Sequence, residues 1–221
     1  MTIKTNARLA GFAYLLYIAA AFPSMVLFER ATKGHGVAAK LASIAAHATD
    51  LRIAVILELV GVLCALVLAV TLYAVTRRED ADVALMAFAC RVVEGVSGAL
   101  GVKGSAKLLW LATATGAKAP DAETVRILGA TLLTGEGVGV TATFFAIGST
   151  LFAWLLLRGR MIPAPLAWLG VLGSALLVVA LPLQFVGVIP ASGFGLIWLP
   201  VALFELTLGP WLIFKGVKET V

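Results

Sequence analysis

Six runs of predominantly apolar residues follow one another along the chain, at about 9–28, 53–75, 83–109, 136–157, 164–188 and 194–214. A helix rising about 1.5 Å per residue needs about 20 residues to cross a hydrocarbon core of about 30 Å, which is the length of each run. Inside lipid the backbone must satisfy its own hydrogen bonds, so each run is predicted to be a helix. The expected fold is therefore all-α: a polytopic transmembrane helical bundle of six spans, forming a single domain over residues 1–221.

Composition agrees. Hydrophobic residues make up 61% of the chain and charged residues 13%, whereas a soluble domain carries about 25% charge. The formal charge of +5 is spread in short pieces between the apolar runs. Nucleic-acid binding needs basic residues gathered on one solvated face, so no nucleic-acid partner is expected. Cys64 and Cys90 lie within the runs, where cysteine acts as a small hydrophobe, and no disulfide framework or zinc set is indicated.

The first run follows Lys4 and Arg8 and passes through Ala19-Ala20-Ala21, as a secretory signal does. Its apolar character continues to Phe28, beyond the usual signal core of about 7–15 residues, so it is read as a retained span. An even number of spans puts both termini on one side. Lys4, Arg8, Arg77, Arg78, Arg158, Arg160, Lys215 and Lys218 then share that side close to span ends, against Arg30, Lys33, Lys40, Arg52, Lys118 and Arg126 on the other. The positive-inside bias favours N-in and C-in.

Two segments lie outside the spans. Residues 36–50 are Ala-rich with Val37, Leu41 and Ile44 at helical spacing, which predicts a short helix along the outer interface. Pro120-Asp121 has the form of a helix start, with the Asp charge favoured there. A helix from there to Leu157 is too long for one crossing, so the stretch Gly135-Glu136-Gly137-Val138-Gly139 is expected to mark a bend or the water boundary.

A charged side chain at the bilayer centre costs at least about 2.5–3.5 kcal/mol, so the ionisable residues inside the spans are the informative ones. They are Glu58 in the second span, Arg91 and Glu94 in the third, and Glu205 in the sixth. Arg91 and Glu94, at i and i+3, share a helix face. Arg91, Glu94, Gly95, Gly98, Gly101 and Ser105 fall on one stripe, whose small residues let a neighbouring helix approach, so the stripe is expected to face the bundle. Lys103 and Lys107 lie off the stripe, where they can snorkel to the interface. Three carboxylates against one guanidinium leave at least one Glu either neutral at pH 7 or holding a cation.

Other features are weaker. His35 and His47 lack metal-ligand spacing and read as solvated residues. Ser97, Ser105 and Ser149 lack a nucleophile elbow. The 22 glycines form no phosphate loop in a strand-to-helix setting, and no cofactor is expected. The five tryptophans, Trp110, Trp154, Trp168, Trp198 and Trp211, make a partial aromatic belt.

Several stretches carry a family resemblance: Ala7-Arg8-Leu9-Ala10-Gly11-Phe12-Ala13-Tyr14-Leu15-Leu16-Tyr17; Phe144-Phe145-Ala146-Ile147-Gly148-Ser149-Thr150; Ile162 through Gly170; and Glu205 through Val217. Together they resemble the bacterial domain-of-unknown-function family numbered 4386, small six-span membrane proteins, over essentially the whole chain. The resemblance implies a multi-pass protein of the bacterial inner (plasma) membrane with an Arg in the third span, here Arg91, and a Glu in the sixth, here Glu205. The family more often has a Gln-like residue where this chain has Glu94, and it supplies no activity.

Three functional readings stay open. The first is binding or transport of a small solute, ion or lipid head group in a pocket lined by Arg91, Glu94, Glu58 and Glu205. The second is a membrane-embedded enzyme acting on an apolar substrate with a buried Glu as acid or base. The third is a structural or regulatory subunit. A plain packing role, in which Arg91 neutralises Glu94 and the set fixes helix register, competes with all three. Membrane lipids are the expected surroundings, and oligomeric state is not legible.

Overall fold

The computed structural model describes residues 1–115, 120–133, 137–189 and 194–218. Among these residues the chain forms α1 (Ile3–Ala31), α2 (Gly36–Ala46), α3 (Ala48–Thr76), α4 (Ala81–Thr113), α5 (Ala122–Leu133), α6 (Gly137–Arg158), α7 (Ala164–Phe185) and α8 (Leu199–Phe214), with a 3-10 turn at Phe194–Trp198 before α8. Six of the helical segments are long and apolar enough to cross a membrane. Only 28% to 44% of each span's most apolar stretch is buried inside the bundle. Phe12, Leu16, Ile56, Val70, Leu100, Leu172 and Leu203 point outward instead. A soluble domain does not expose so continuous an apolar surface, and lipid is the solvent that accepts it.

The long helices close into a ring in chain order. α1 packs on α3, α3 on α4, α4 on α6, α6 on α7, α7 on α8, and α8 returns to α1. Short turns make two of these antiparallel contacts, α3–α4 across residues 77–80 and α6–α7 across residues 159–163, while α2 and α5 lie in longer connections. The main apolar core, including Ala10, Tyr14, Leu72, Ala87, Phe152, Leu156, Phe204 and Leu208, lies toward the end where α1 starts and α8 finishes. Small side chains such as Ala7, Ala10, Ala84 and Ala87 are fully buried, so the helices approach closely, as membrane helices must where lipid gives no hydrophobic drive to associate.

At the opposite end α2 buries Leu41 and Ile44 in a second cluster with Ala31, Leu51, Ala54, Leu108 and Leu111. The helix expected over 36–50 stops at Ala46. His47 separates it from α3, and its ring nitrogen lies 3.0 Å from the Ser43 carbonyl. α5 begins after Asp121, whose carboxylate accepts from the Thr124 N–H at 2.9 Å and the Thr124 hydroxyl at 2.7 Å. Those bonds, the backbone one foremost, hold the Asp121 carboxyl below its ordinary range.

α1, α3 and α4 overrun the hydropathy boundaries, α1 and α3 by several residues at each N-terminus, whereas α7, expected to run to 188, stops at Phe185. A hydropathy window ends where polar residues begin, whereas the hydrogen-bonded ladder continues to a cap. Thr2 caps α1 through the Thr5 N–H, and Asp80 caps α4 through the Val83 N–H. The sixth span, expected as one helix from 194, enters as the 3-10 turn and becomes α-helical at Leu199. Of the glycine-rich stretch 135–139, residues 135 and 136 lie outside the described residues.

Candidate functional site: a buried arginine between two carboxylates

Arg91 enters the bundle interior about three turns into α4 and is wholly inaccessible, the largest fully buried side chain among the described residues. Burial of an unpaired guanidinium is prohibitive, so its surroundings are the site. Nη1 donates to Glu94 Oε2 at 3.0 Å and Oε1 at 3.3 Å, one turn further along the same helix. Nη2 donates to Ser149 Oγ on α6 at 2.8 Å. The Phe145 ring, one turn before Ser149, lies 4.7 Å from the guanidinium carbon, in the geometry of a cation–π contact.

α6 comes this close because residue 148 is glycine. A Cβ there would meet Arg91 Cγ at 3.2 Å and the Ala87 carbonyl at 3.3 Å. α1 contributes Tyr17, whose hydroxyl donates to Glu94 Oε1 at 3.3 Å. Tyr14, one turn earlier and 2% exposed, lies within electrostatic reach of Arg91 and both carboxylates.

Glu205 arrives from α8. Its Oε1 stands 3.6 Å from Arg91 Nη2, near enough to feel the charge, but too far for a hydrogen bond. That oxygen and Arg91 Nε are both buried without a hydrogen-bond partner. The two carboxylates are thus unequal: Glu94 is engaged by Arg91 and Tyr17, whereas Glu205 holds an unfilled acceptor against the guanidinium. With both ionised, the trio carries one negative charge more than positive.

Of the residues singled out from sequence, Arg91, Glu94 and Glu205 come together. Glu58 does not join them. It accepts from Ser105 at 3.3 Å across the α3–α4 contact, with its other oxygen buried and unbonded. Ser105 is eleven residues beyond Glu94 on α4, which separates the two stations by about 16 Å along the helix. The small-residue stripe faces the bundle at Gly95, where a Cβ would press on Leu66, but Gly101 is exposed. The rest of the stripe keeps the α3 contact: a Cβ on Gly98 would meet Val62 at 3.2 Å, and Ser105, beyond Gly101, is again buried against Glu58. Lys103 and Lys107 are exposed.

Tyr14, Tyr17, Phe145 and Ser149 were not anticipated as site residues. Their sequence signals were modest: hydroxyl-bearing aromatics at i and i+3 in the first span, and an aromatic and a serine at i and i+4 flanking Gly148 in the fourth.

Ser149→Ala is expected to lower stability by about 1.5 kcal/mol, because it strands a buried charged donor. Denaturant melts in detergent measure this, and an unchanged midpoint would mean that the Ser149 bond adds nothing.

A ring of six long apolar helices closed around a buried ion cluster defines a multi-pass membrane protein. A family model described as a domain of unknown function (DUF4386) matches residues 9–216, and the chain belongs to that family. No curated protein and no solved structure matches it.

Proposed function

We propose that this bundle binds a single small positive charge, a proton or a monovalent cation, at Glu205, as part of a binding or transport role. The observation that carries this reading is the buried Glu205 Oε1, without a hydrogen-bond partner and 3.6 Å from a guanidinium already engaged by Glu94 and Ser149. An acceptor in that position is costly unless something fills it. A proton or a small cation fills it and also removes the excess negative charge. A larger solute or lipid head group has less support, since Arg91, Glu94 and Glu205 are themselves buried, with Tyr14 and Phe145 beside them, both buried.

The protein is placed in a bacterial inner membrane with both termini inside. The family resemblance and the basic residues gathered at the shared end of α1, α3, α6 and α8 support this placement.

Glu205→Gln tests the site, since glutamine has the shape of a protonated glutamic acid and no charge. Thermal melts compare it with the native protein in N-methylglucamine, lithium, sodium and potassium buffers of equal ionic strength. If a proton occupies the site, the variant melts with the native protein in every buffer. If a cation does, that cation raises the native midpoint by about 5–10 °C near saturation and leaves the variant unmoved. A variant that melts well below the native protein in cation-free buffer contradicts the proposal, because the bare carboxylate would then be acting purely as an ion-pair partner of Arg91.

A further inference from the structure

A second polar feature lies away from the buried cluster, at the bundle end where α6 turns into α7. A pocket of about 300 Å³ opens there, lined by Leu157, Arg160, Ile162, Pro163, Ala164 and Lys218. Its two cations come from distant parts of the chain, one on the α6–α7 turn and one beyond α8. Backbone holds them together: the Lys218 N–H donates to the Met161 carbonyl at 3.0 Å. Arg160 itself sits at φ 49°, the one described non-glycine residue with positive φ. That conformation is unfavourable for a residue with a Cβ and persists only where the surroundings impose it. Here the closing bonds from Arg160 N–H to the Leu157 carbonyl and from Met161 N–H to the Leu156 carbonyl, both 3.0 Å, impose it.

The charge of this pocket is one-sided. Among the described residues no carboxylate lines it, and no ion pair engages Arg160 or Lys218. The adjacent Arg158 is differently placed, held by Asp80 at 3.0 Å. Glu79, another acid at this end, packs against Gly159. α7 starts at the pocket wall without a side-chain cap, and Pro165 has no N–H to offer. The free first-turn N–H groups add partial positive charge to that of the two side chains. The rest of the lining is apolar: Leu157, Ile162, Pro163 and Ala164. Two cations above an apolar wall, at the mouth of a membrane bundle, match a group that is anionic at its head and continues into hydrocarbon.

We infer that this pocket binds a phosphate-bearing anionic head group, seated between Arg160 and Lys218. The volume exceeds that of a bare phosphate and suits a phosphodiester with its glycerol. A lipid and a soluble phosphate ester offer the same chemistry, and the test separates them.

The full-length protein in phosphatidylcholine nanodiscs is melted with increasing phosphatidylglycerol, and separately with glycerol 1-phosphate and with inorganic phosphate. Phosphatidylglycerol is expected to raise the midpoint saturably. In Arg160→Gln/Lys218→Gln, half-saturation is expected to need at least about tenfold more lipid, the loss of charge-assisted hydrogen bonds. Arg77→Gln, an exposed cation at the same end but outside the pocket, is expected to respond as the native protein does. Lys218→Arg is expected to retain binding. A matching response to glycerol 1-phosphate assigns the site to soluble phosphate esters, and its absence assigns it to the lipid. The inference is overturned if no probe acts, if the double variant titrates like the native protein, or if Arg77→Gln is weakened equally. Both substituted side chains are exposed, and Lys218→Gln alone gives the same reading should the double variant fail to fold.

Discussion

Replacing Arg91 with leucine is expected to destabilise the bundle by about 3–5 kcal/mol, the largest effect of any single substitution considered. The guanidinium is the only cation touching Glu94 and Glu205 among the described residues, and it also engages Ser149 and Phe145. Its removal leaves the Glu94 carboxylate buried without its counter-ion, to lose its charge or draw in water. A shape-compatible apolar replacement of the whole set is far less costly than breaking it, because the burden lies in the stranded partners. The triple variant Arg91→Leu/Glu94→Gln/Glu205→Gln is therefore expected to recover most of the loss. Arg91→Lys is expected to recover little, since an ammonium cannot span Glu94, Ser149 and Glu205 as the planar fork does. Denaturant titrations of the four proteins in one detergent decide this. If Arg91→Leu melts within about 1 kcal/mol of the native protein, the cluster does not hold these helices together.

The second large effect lies where α1 crosses α8. A Cβ on Gly11 would sit 2.5 Å from the Gly209 carbonyl oxygen and 2.8 Å from Ile213, and one on Gly209 would meet Leu15 at 3.0 Å. The helices touch backbone to backbone, glycine against glycine, and a carbonyl cannot swing aside as a side chain can. Gly11→Val is expected to cost about 3 kcal/mol by overpacking. Because α1 and α8 supply Tyr17 and Glu205, forcing them apart is also expected to weaken any cation response of the native protein. A parallel substitution at Gly101, which has open space around it, should be nearly silent. Equal effects at the two positions would remove the close-approach argument.

Much of this architecture was legible before the structure. Length and apolarity alone located six spans, because lipid permits a lone segment few other conformations. The i, i+3 spacing of Arg91 and Glu94 placed them on one face, and Glu205 stood out as an ionisable residue inside the sixth span. What remained hidden was azimuth. Sequence gives the depth of Glu58, but not that α3 turns it toward Ser105, far along α4 from Glu94. Nor does spacing within α6 reveal that Gly148 lets Ser149 reach the guanidinium. The cluster joins α1, α4, α6 and α8, and such pairings are set by how the ring closes. The head-group pocket was illegible for a similar reason: Arg160 and Lys218 are 58 residues apart in the chain and meet only because the tail folds back onto the α6–α7 turn.

The central claim is that Glu205 does not remain a bare anion beside Arg91. Infrared absorption of carboxyl groups tests it most directly, since a protonated carboxyl has a C=O stretch well separated from that of a carboxylate. The measurement is the difference spectrum between the native protein and Glu205→Gln at pH 7 in N-methylglucamine buffer, repeated with lithium, sodium and potassium. The account predicts either a protonated-carboxyl band present in the native protein and missing from the variant, or a carboxylate band that shifts when one cation is added. A native spectrum in which Glu205 contributes an ordinary carboxylate band, unchanged by every cation, would contradict it.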